Sequence, residues 1–327
     1  LKIGLEDLNL HRIIGAGTFG QVWLVSRITS NLTKRPYALK VQSKYDLIKS
    51  GQAKVVVREK NVMAQFHSPF VVKLVVSFHD ERYVYMVMDL YQGGELFTVM
   101  HSSPTGMLSE SVAKFYLAGI AEGLAYMHRL CFVYRDLKPE NVLIDDKGYP
   151  IIVDLGFCKK ITNKTYTMCG TPLYIAPEVI LNRGHSWSAD YWSLGVLMYE
   201  MLVGRTPFYR SKMGKSELFK AIVYAKLKPP EHVSPEALTL LAGLLKRDPA
   251  KRLGSLASGE DDILNHPWFG SLDRELLFLK KLDAPFVPRV ENSLDSDNFD
   301  NWDHIEDFRE RQLPDLSAEQ AAIFSSF

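Results

Sequence analysis

The chain has 327 residues, 46% of them hydrophobic and 24% charged, the proportions of an ordinary globular protein rather than a disordered one. The net charge of +1 excludes a global field that would recruit nucleic acid or a membrane surface, so any anion binding must be local. Cys131, Cys158 and Cys169 are too few and too scattered for a disulfide framework or a CxxC metal site, and no apolar run approaches the length of a membrane span. A reducing, cytoplasmic compartment is expected, with no signal-type start.

The first ninety residues read mostly as strands. "LHRIIGAGTFGQVWLVSR" is two alternating runs around a glycine turn, and "RPYALKVQ" and "RYVYMVMDL" are two more. Residues 52–66 contain no Gly or Pro and predict a helix. "YQGGE" at 91–95 reads as a hinge, because paired glycines permit unusual backbone angles. The pattern then turns helical: Val112, Phe115, Tyr116, Gly119, Ile120, Gly123, Leu124 and Met127 keep an i, i+3, i+4 rhythm, with Ser109 as N-cap. Further helices are predicted from 188, closing near Gly204, and from 234, with Pro235 in its first turn. From about Asp283 the chain is acidic and rich in Asn, Ser and Asp, and reads as an extended tail. The expected organisation is therefore a strand-rich lobe (1–92), a helical lobe (93–282) and a tail (283–327), with a ligand cleft where lobes meet.

Gly15, Gly17 and Gly20 form "GAGTFG". A dinucleotide-binding loop would need a helix next, but "QVWLV" is strand-like, and no Lys-Ser/Thr follows to make a P-loop. A hairpin with its backbone over phosphates remains, beside the plainer reading of a simple turn. Lys40, in "YALKV", would ordinarily face water. Turned inward it needs a counter-charge, and Glu59 on the predicted helix is a candidate. "RDLKPENVLID" at 135–145 sets Asp136, Lys138 and Asn141 in one loop, and Asp154 follows the apolar run "PIIV". Two acids and an amide carbonyl suit magnesium shared with phosphates. Lys138 could neutralise a phosphoryl group in transit, and Asp136 could accept the proton of an incoming hydroxyl. Each of these residues alone has an ordinary alternative as a cap or a surface charge.

Taken in order, the Gly loop, strand Lys, helix Glu, "RDLKPEN", "DLG" and "APE" resemble the eukaryotic protein kinase set from near residue 8 to near residue 270. "YRDLKPEN", "CGTPLYIAPE" and the tail's "NFDNW" are similar to the AGC group of serine/threonine kinases, in its cyclic-AMP- and cyclic-GMP-dependent branch. The closing "FSSF" resembles the former enzyme and "LNRGHSWSADYWSLGVLMYE" the latter. The resemblance implies an α+β bilobal fold: a small antiparallel sheet lobe with one main helix, a larger mainly helical lobe, and a tail wrapping both.

It further implies ATP and Mg2+ as cofactors. Gly15, Gly17 and Gly20 would cover the triphosphate, and Lys40, oriented by Glu59, would hold the α- and β-phosphates. Asp136 would be the base, Lys138 the γ-phosphate contact, and Asn141 and Asp154 the metal ligands. Ile14, Val22, Ala38, Met88 and Leu143 would sandwich the adenine, the backbone of Asp89 and Tyr91 would bind its edge, and Phe299 would close the pocket. Glu95 and Glu140, at the rim of that nucleotide site, and Glu200 would receive substrate arginines, so Arg-rich protein or peptide substrates are expected. Met168, Pro172 and Ile175 would line the next apolar pocket. Thr167 matches the activation-loop phosphosite, drawing in Arg135 and Lys159. Glu178 and Arg252 match a buried ion pair of that family, and Asp190 matches the acid that would anchor the catalytic loop. A regulatory subunit, or a fused cyclic-nucleotide-binding domain, is the implied partner.

Three positions depart from the pattern: Leu155 for the usual Phe, Leu173 for an acid, and Val55 for a histidine that would face the phosphothreonine. The non-enzyme rival, a kinase-like scaffold, ordinarily lacks Lys40, Asp136 or Asp154, and all three are present.

Overall fold

The computed structural model describes residues 3–28 and 35–327; Leu1, from which the first lobe is counted, lies outside them. The described residues form two compact units. One comprises the described residues up to His67 together with Val72–Gly94 and Pro288–Phe327, and the other Ser68–Val71 and Glu95–Val287.

The first unit is built on a five-stranded antiparallel sheet in the order β1-β2-β3-β5-β4. Its strands are β1 (Leu8–Gly17), β2 (Gly20–Arg27), β3 (Pro36–Ser43), β4 (Leu74–His79) and β5 (Tyr83–Asp89). The β1–β2 turn is the expected glycine hairpin, and Gly20 is required there: a Cβ would lie 1.9 Å from the Val41 carbonyl oxygen. Alternation sorts side chains to two faces. Trp23, Val25, Leu39, Val41, Tyr85 and Val87 join one core with Phe308. Ile14, Leu24 and Ala38 form the other cluster, with Val22, Met88, Leu90, Leu294 and Phe299 packed against it. Two helices follow β3: α1 (Lys44–Lys49) and α2 (Ala53–Met63). The second is the one predicted from 52–66. The first escapes a reading by periodicity because it is only six residues long.

The second unit is mainly helical. Its elements include α3 (Leu96–His101), α4 (Glu110–Arg129), β6 (Phe132–Val133), β7 (Val142–Ile144), β8 (Pro150–Ile152), β9 (Lys159–Lys160), α5 (Pro177–Ile180), α6 (Ser188–Val203), α7 (Lys215–Tyr224) and α8 (Pro235–Leu244). Ser109 Oγ accepts from Val112 N–H, as the cap requires, and Ser234 does the same for Ala237 N–H. α6 ends on Gly204 in the left-handed conformation, φ 75°. It is buried on nearly every side, which its continuous apolar sequence demands.

A buried ion pair steadies this unit. Arg252, fully enclosed, grips both Glu178 carboxylate oxygens (2.6 and 2.9 Å), and also donates to the Ser188 and Lys246 carbonyls. Its guanidinium lies 5.3 Å from the centre of the Trp192 ring. Removing one partner strands the other charge without solvent, which costs about 3–5 kcal/mol. Arg252→Ala is therefore expected to lower stability by about 3–5 kcal/mol. Arg252→Lys should recover only part of it, because an ammonium cannot make the two-pronged contact. Urea unfolding of the three proteins measures this.

Candidate active site

In the first unit, strand register decides where Lys40 points. Lys40 lies opposite Val22 on β2 and Met86 on β5, while Ala38 lies opposite Leu24 and Met88. Lys40 therefore shares a sheet face with Val22, Leu24, Ala38 and Met88. A lone cation on an apolar face needs a partner, and Glu59 of α2 supplies it: Nζ to Oε1 is 2.7 Å, with Glu59 almost wholly buried. Of the expected base-binding residues, Ile14, Val22, Ala38, Met88 and the tail's Phe299 gather in one cluster on that face. The Asp89 N–H is already given to the Lys73 carbonyl (3.1 Å), and its carboxylate pairs with the exposed Arg35. Gly15 and Gly17 sit in β1, paired with Val22 and Gly20.

In the second unit, the 135–145 segment is held from behind. Asp190, in the first turn of α6, accepts the backbone N–H groups of Tyr134 (2.9 Å) and Arg135 (2.7 Å) and a contact from His128 Nε2 (2.7 Å). Arg135 is thereby kept in the left-handed region, φ 74°. This aims the next side chain, Asp136, into a network of donors. Asp136 Oδ1 accepts from the N–H (3.0 Å) and hydroxyl (2.9 Å) of Thr171, and Oδ2 accepts from Asn141 Nδ2 (2.8 Å). Lys138 Nζ is 4.0 Å from the same oxygen. Because Asn141 Nδ2 also donates to the Asp136 carbonyl, the amide is oriented with its own oxygen turned away from Asp136 as an acceptor.

Antiparallel pairing of β7 and β8 brings the metal candidates together. The register Val142↔Ile152 extends one step, where the Asn141 carbonyl accepts from Val153 N–H at 3.0 Å, so Asp154 follows directly on the residue paired with Asn141. Asp154 is exposed, with φ 54°, and its Oδ1 accepts a 3.2 Å contact from Gly156 N–H. An amide oxygen and a carboxylate are hard donors of the kind magnesium takes, few enough to leave room for phosphate oxygens. Among the described residues no group of three or more His, Cys, Asp or Glu side chains is arranged as a self-sufficient metal cage.

Charge follows from this packing. Burial pushes the Asp136 carboxyl above its ordinary value; Lys138, Thr171 and Asn141 oppose the rise, and Asp154 adds to it. Burial likewise raises Glu200, against the hydrogen bond from the Tyr174 hydroxyl, while neighbouring Glu140 raises it further. Glu140 and Glu200 thus form one acidic patch around Tyr174. Glu95 stands apart from it at the start of α3, exposed and bridged to Leu143.

The activation segment is partly tied down. Thr165 is buried, exchanges two 2.9 Å backbone hydrogen bonds with His185, and receives the Lys159 ammonium at 3.0 Å. Thr167, two residues on, is exposed, as is Met168, while Ile175 is buried and Pro172 partly so. Arg135 Nε donates to the Phe157 carbonyl. Leu155 is fully buried, an aliphatic side chain filling the interior at the position of the usual aromatic. Val55 lies half-buried on α2 and Leu173 is partly exposed. Thr171, Tyr174 and His128 escape a reading of the sequence as site residues, since nothing in the spacing of single hydroxyls and imidazoles marks them as partners of distant acids, and the pairing of Thr165 with His185 carries no sequence mark either.

The sign of the Asp136 shift sets a pH dependence. A carboxyl whose folded pKa is raised favours its protonated form in the fold. Its contribution to stability is full below the unfolded value and is lost as pH rises through the folded one. Asp136 should therefore titrate by carboxyl 13C NMR above an ordinary aspartate, and Lys138→Met should move that titration to still higher pH. A titration unmoved by Lys138→Met would separate the two groups electrostatically.

Comparison with known proteins places these features in context. A family model described as "Protein kinase domain" matches residues 8–269. The chain is 41% identical over 302 residues to the cAMP-dependent protein kinase type 3 of Saccharomyces cerevisiae, covering 92% of this chain and 74% of that protein. It is 40% identical to the cAMP-dependent protein kinase catalytic subunit of Arthrobotrys oligospora, covering 92% and 57%. It is 39% identical to the cGMP-dependent protein kinase egl-4 of Caenorhabditis briggsae, covering 92% of this chain and 40% of that protein. The chain thus spans between about two fifths and three quarters of these relatives.

Proposed function

We infer the chemistry from one premise: this chain belongs to the protein kinase family, as a catalytic domain of the AGC serine/threonine type. We propose that it transfers the γ-phosphate of Mg-ATP to Ser or Thr hydroxyls in Arg-rich protein substrates, as the catalytic part of a cyclic-nucleotide-dependent kinase. The observation that carries the reading is the Asp136 network, in which a buried carboxylate keeps one oxygen on Thr171 and the other between Asn141 and Lys138.

Lys40, fixed by Glu59, binds the α- and β-phosphates, and the 15–20 hairpin lies along the phosphate chain. The cluster of Ile14, Val22, Ala38, Met88 and Phe299, with Leu143, takes the adenine, and the Asp89 carbonyl and Tyr91 N–H meet its edge. Asn141 and Asp154 would hold magnesium, which neutralises phosphate charge when bound. Asp136 orients the substrate hydroxyl. As the oxygen–phosphorus bond forms and the bond to the β-phosphate oxygen breaks, releasing ADP, the hydroxyl proton passes to the Asp136 carboxylate. Lys138 balances the charge on the moving phosphoryl group. Most of the catalysis is positioning and charge neutralisation.

Glu140 and Glu200 are assigned to substrate arginines, with Glu95 adding a further acid. Met168, Pro172 and Ile175 receive the apolar residue after the target. Phosphate on Thr167 would recruit Arg135 and Lys159 and tighten the segment beside Asp136. A cyclic-nucleotide-binding partner, separate or fused, is the proposed regulator. The cytoplasm is the proposed compartment, supported by cysteines too few and too scattered for a disulfide framework; among the described residues no helix is long and apolar enough to cross a membrane.

Radiolabelled phosphate transfer from ATP to an Arg-Arg-x-Ser peptide tests the reading. Asp136→Asn keeps the shape but sets an amide nitrogen against a donor, Asn141 Nδ2 or the Thr171 N–H, and removes the proton acceptor. Its kcat is expected to fall by about 10²–10⁴-fold, and equal background transfer by wild type and variant would refute the activity. Glu200→Gln should raise KM for that peptide by about 10- to 100-fold and leave KM for ATP unchanged.

A further inference from the structure

We propose that Gln92 is a positioning residue, which latches the tail turn 292–298 so that Phe299 stays seated on the base-binding face of the sheet. The proposal rests on the adenine reading of that face given above.

Gln92 follows β5 within the 91–95 segment and is buried, 8% exposed. Its Nε2 donates to the Asp295 carbonyl at 2.8 Å, with the Asn292 and Ser293 carbonyls at 3.2 and 3.4 Å. Its backbone carbonyl accepts from Asn298 Nδ2 at 2.9 Å. One residue thus holds the tail turn from both ends. The turn is also closed on itself: Asp295 accepts from the Glu291 and Asp297 N–H groups (2.6 and 2.9 Å). Gly94 makes room. Its φ is 74°, and a Cβ there would stand 2.8 Å from the Asn298 carbonyl oxygen. At the end of the turn the Phe299 N–H returns to the Ser296 carbonyl (3.0 Å), and the ring joins Ile14, Leu24 and Ala38.

The chemistry selects the side chain. Three carbonyl oxygens converging on one buried atom demand an –NH2 group. A carboxylate of the same shape would face them with like charge, and a thioether of the same length would leave them unsatisfied. Gln92 touches no reacting atom and acts only through where it puts Phe299. Its removal should therefore weaken nucleotide binding rather than slow the chemical step.

The test compares Gln92→Met, Gln92→Glu, Phe299→Ala and the Gln92→Met/Phe299→Ala double variant with wild type. KM for Mg-ATP is expected to rise about 5- to 20-fold in each Gln92 variant, with kcat and peptide KM within about twofold. The double variant should be no worse than Phe299→Ala alone, because the latch has nothing further to place. Amide hydrogen exchange over 292–299 should quicken in Gln92→Met. Gln92 variants with wild-type ATP KM beside an impaired Phe299→Ala, or a double variant with fully additive losses, would overturn the latch. A wild-type protein that transfers no phosphate overturns the kinase reading instead. The latch is then judged by exchange alone, and unchanged exchange over 292–299 in Gln92→Met refutes it.

Discussion

The buried carboxylate of Asp190 is the constraint on which the second unit's chemistry depends. Two consecutive backbone N–H groups, those of Tyr134 and Arg135, end on its oxygens. They help hold Arg135 at a positive φ, a conformation that costs about 1–3 kcal/mol and persists only when its surroundings over-determine it. The carboxylate in turn is held by His128, whose other ring nitrogen contacts the Tyr191 hydroxyl at 3.0 Å. A chain of polar groups thus runs from α4 and α6 to the backbone just before Asp136. The side chain that faces the chemistry is directed by supporting groups behind the loop.

The first unit solves a different problem with the same economy. A sheet has two faces, and here the tail supplies an aromatic to each. Phe299 covers the face that holds Lys40, and Phe308 covers the opposite one, 5.0 Å from Tyr83 and 5.9 Å from Trp23 between ring centres. Each aromatic is introduced by a glutamine. Gln92 holds the turn before Phe299, while Gln21 accepts from Phe308 N–H and donates to the Glu306 carbonyl. A primary amide suits this work because it offers donors and an acceptor to irregular backbone that has no ladder partner of its own.

Much of this was legible in the residues. Period-two alternation around Lys40 marked its strand, Ser109 and Pro235 marked helix starts, and the order of charged motifs marked the chemistry. What stayed hidden has physical causes. Helix α1 is too short to show a period. The Thr171–Asp136 and Tyr174–Glu200 contacts link residues 35 and 26 positions apart, and a lone hydroxyl carries no signal of its distant partner. Gln92 was invisible for a related reason. The glycines beside it announced an unusual backbone, but only the tail's return, two hundred residues later, shows what that backbone is for.

The close of the second unit carries a practical consequence. The acidic, Asn- and Ser-rich composition from Asp283 reads as the start of an extended tail, and residues 283–287 group with the helical unit: the Phe286 carbonyl lies against Gly148 (φ 89°), and the Leu282 carbonyl receives the Tyr149 hydroxyl. The hairpin linking β7 and β8 is thus capped from outside by this stretch. Anyone trimming a recombinant version for crystallisation by composition would cut at the wrong peptide bond, exposing the underside of the very hairpin that carries Asn141 and Asp154 at its open end.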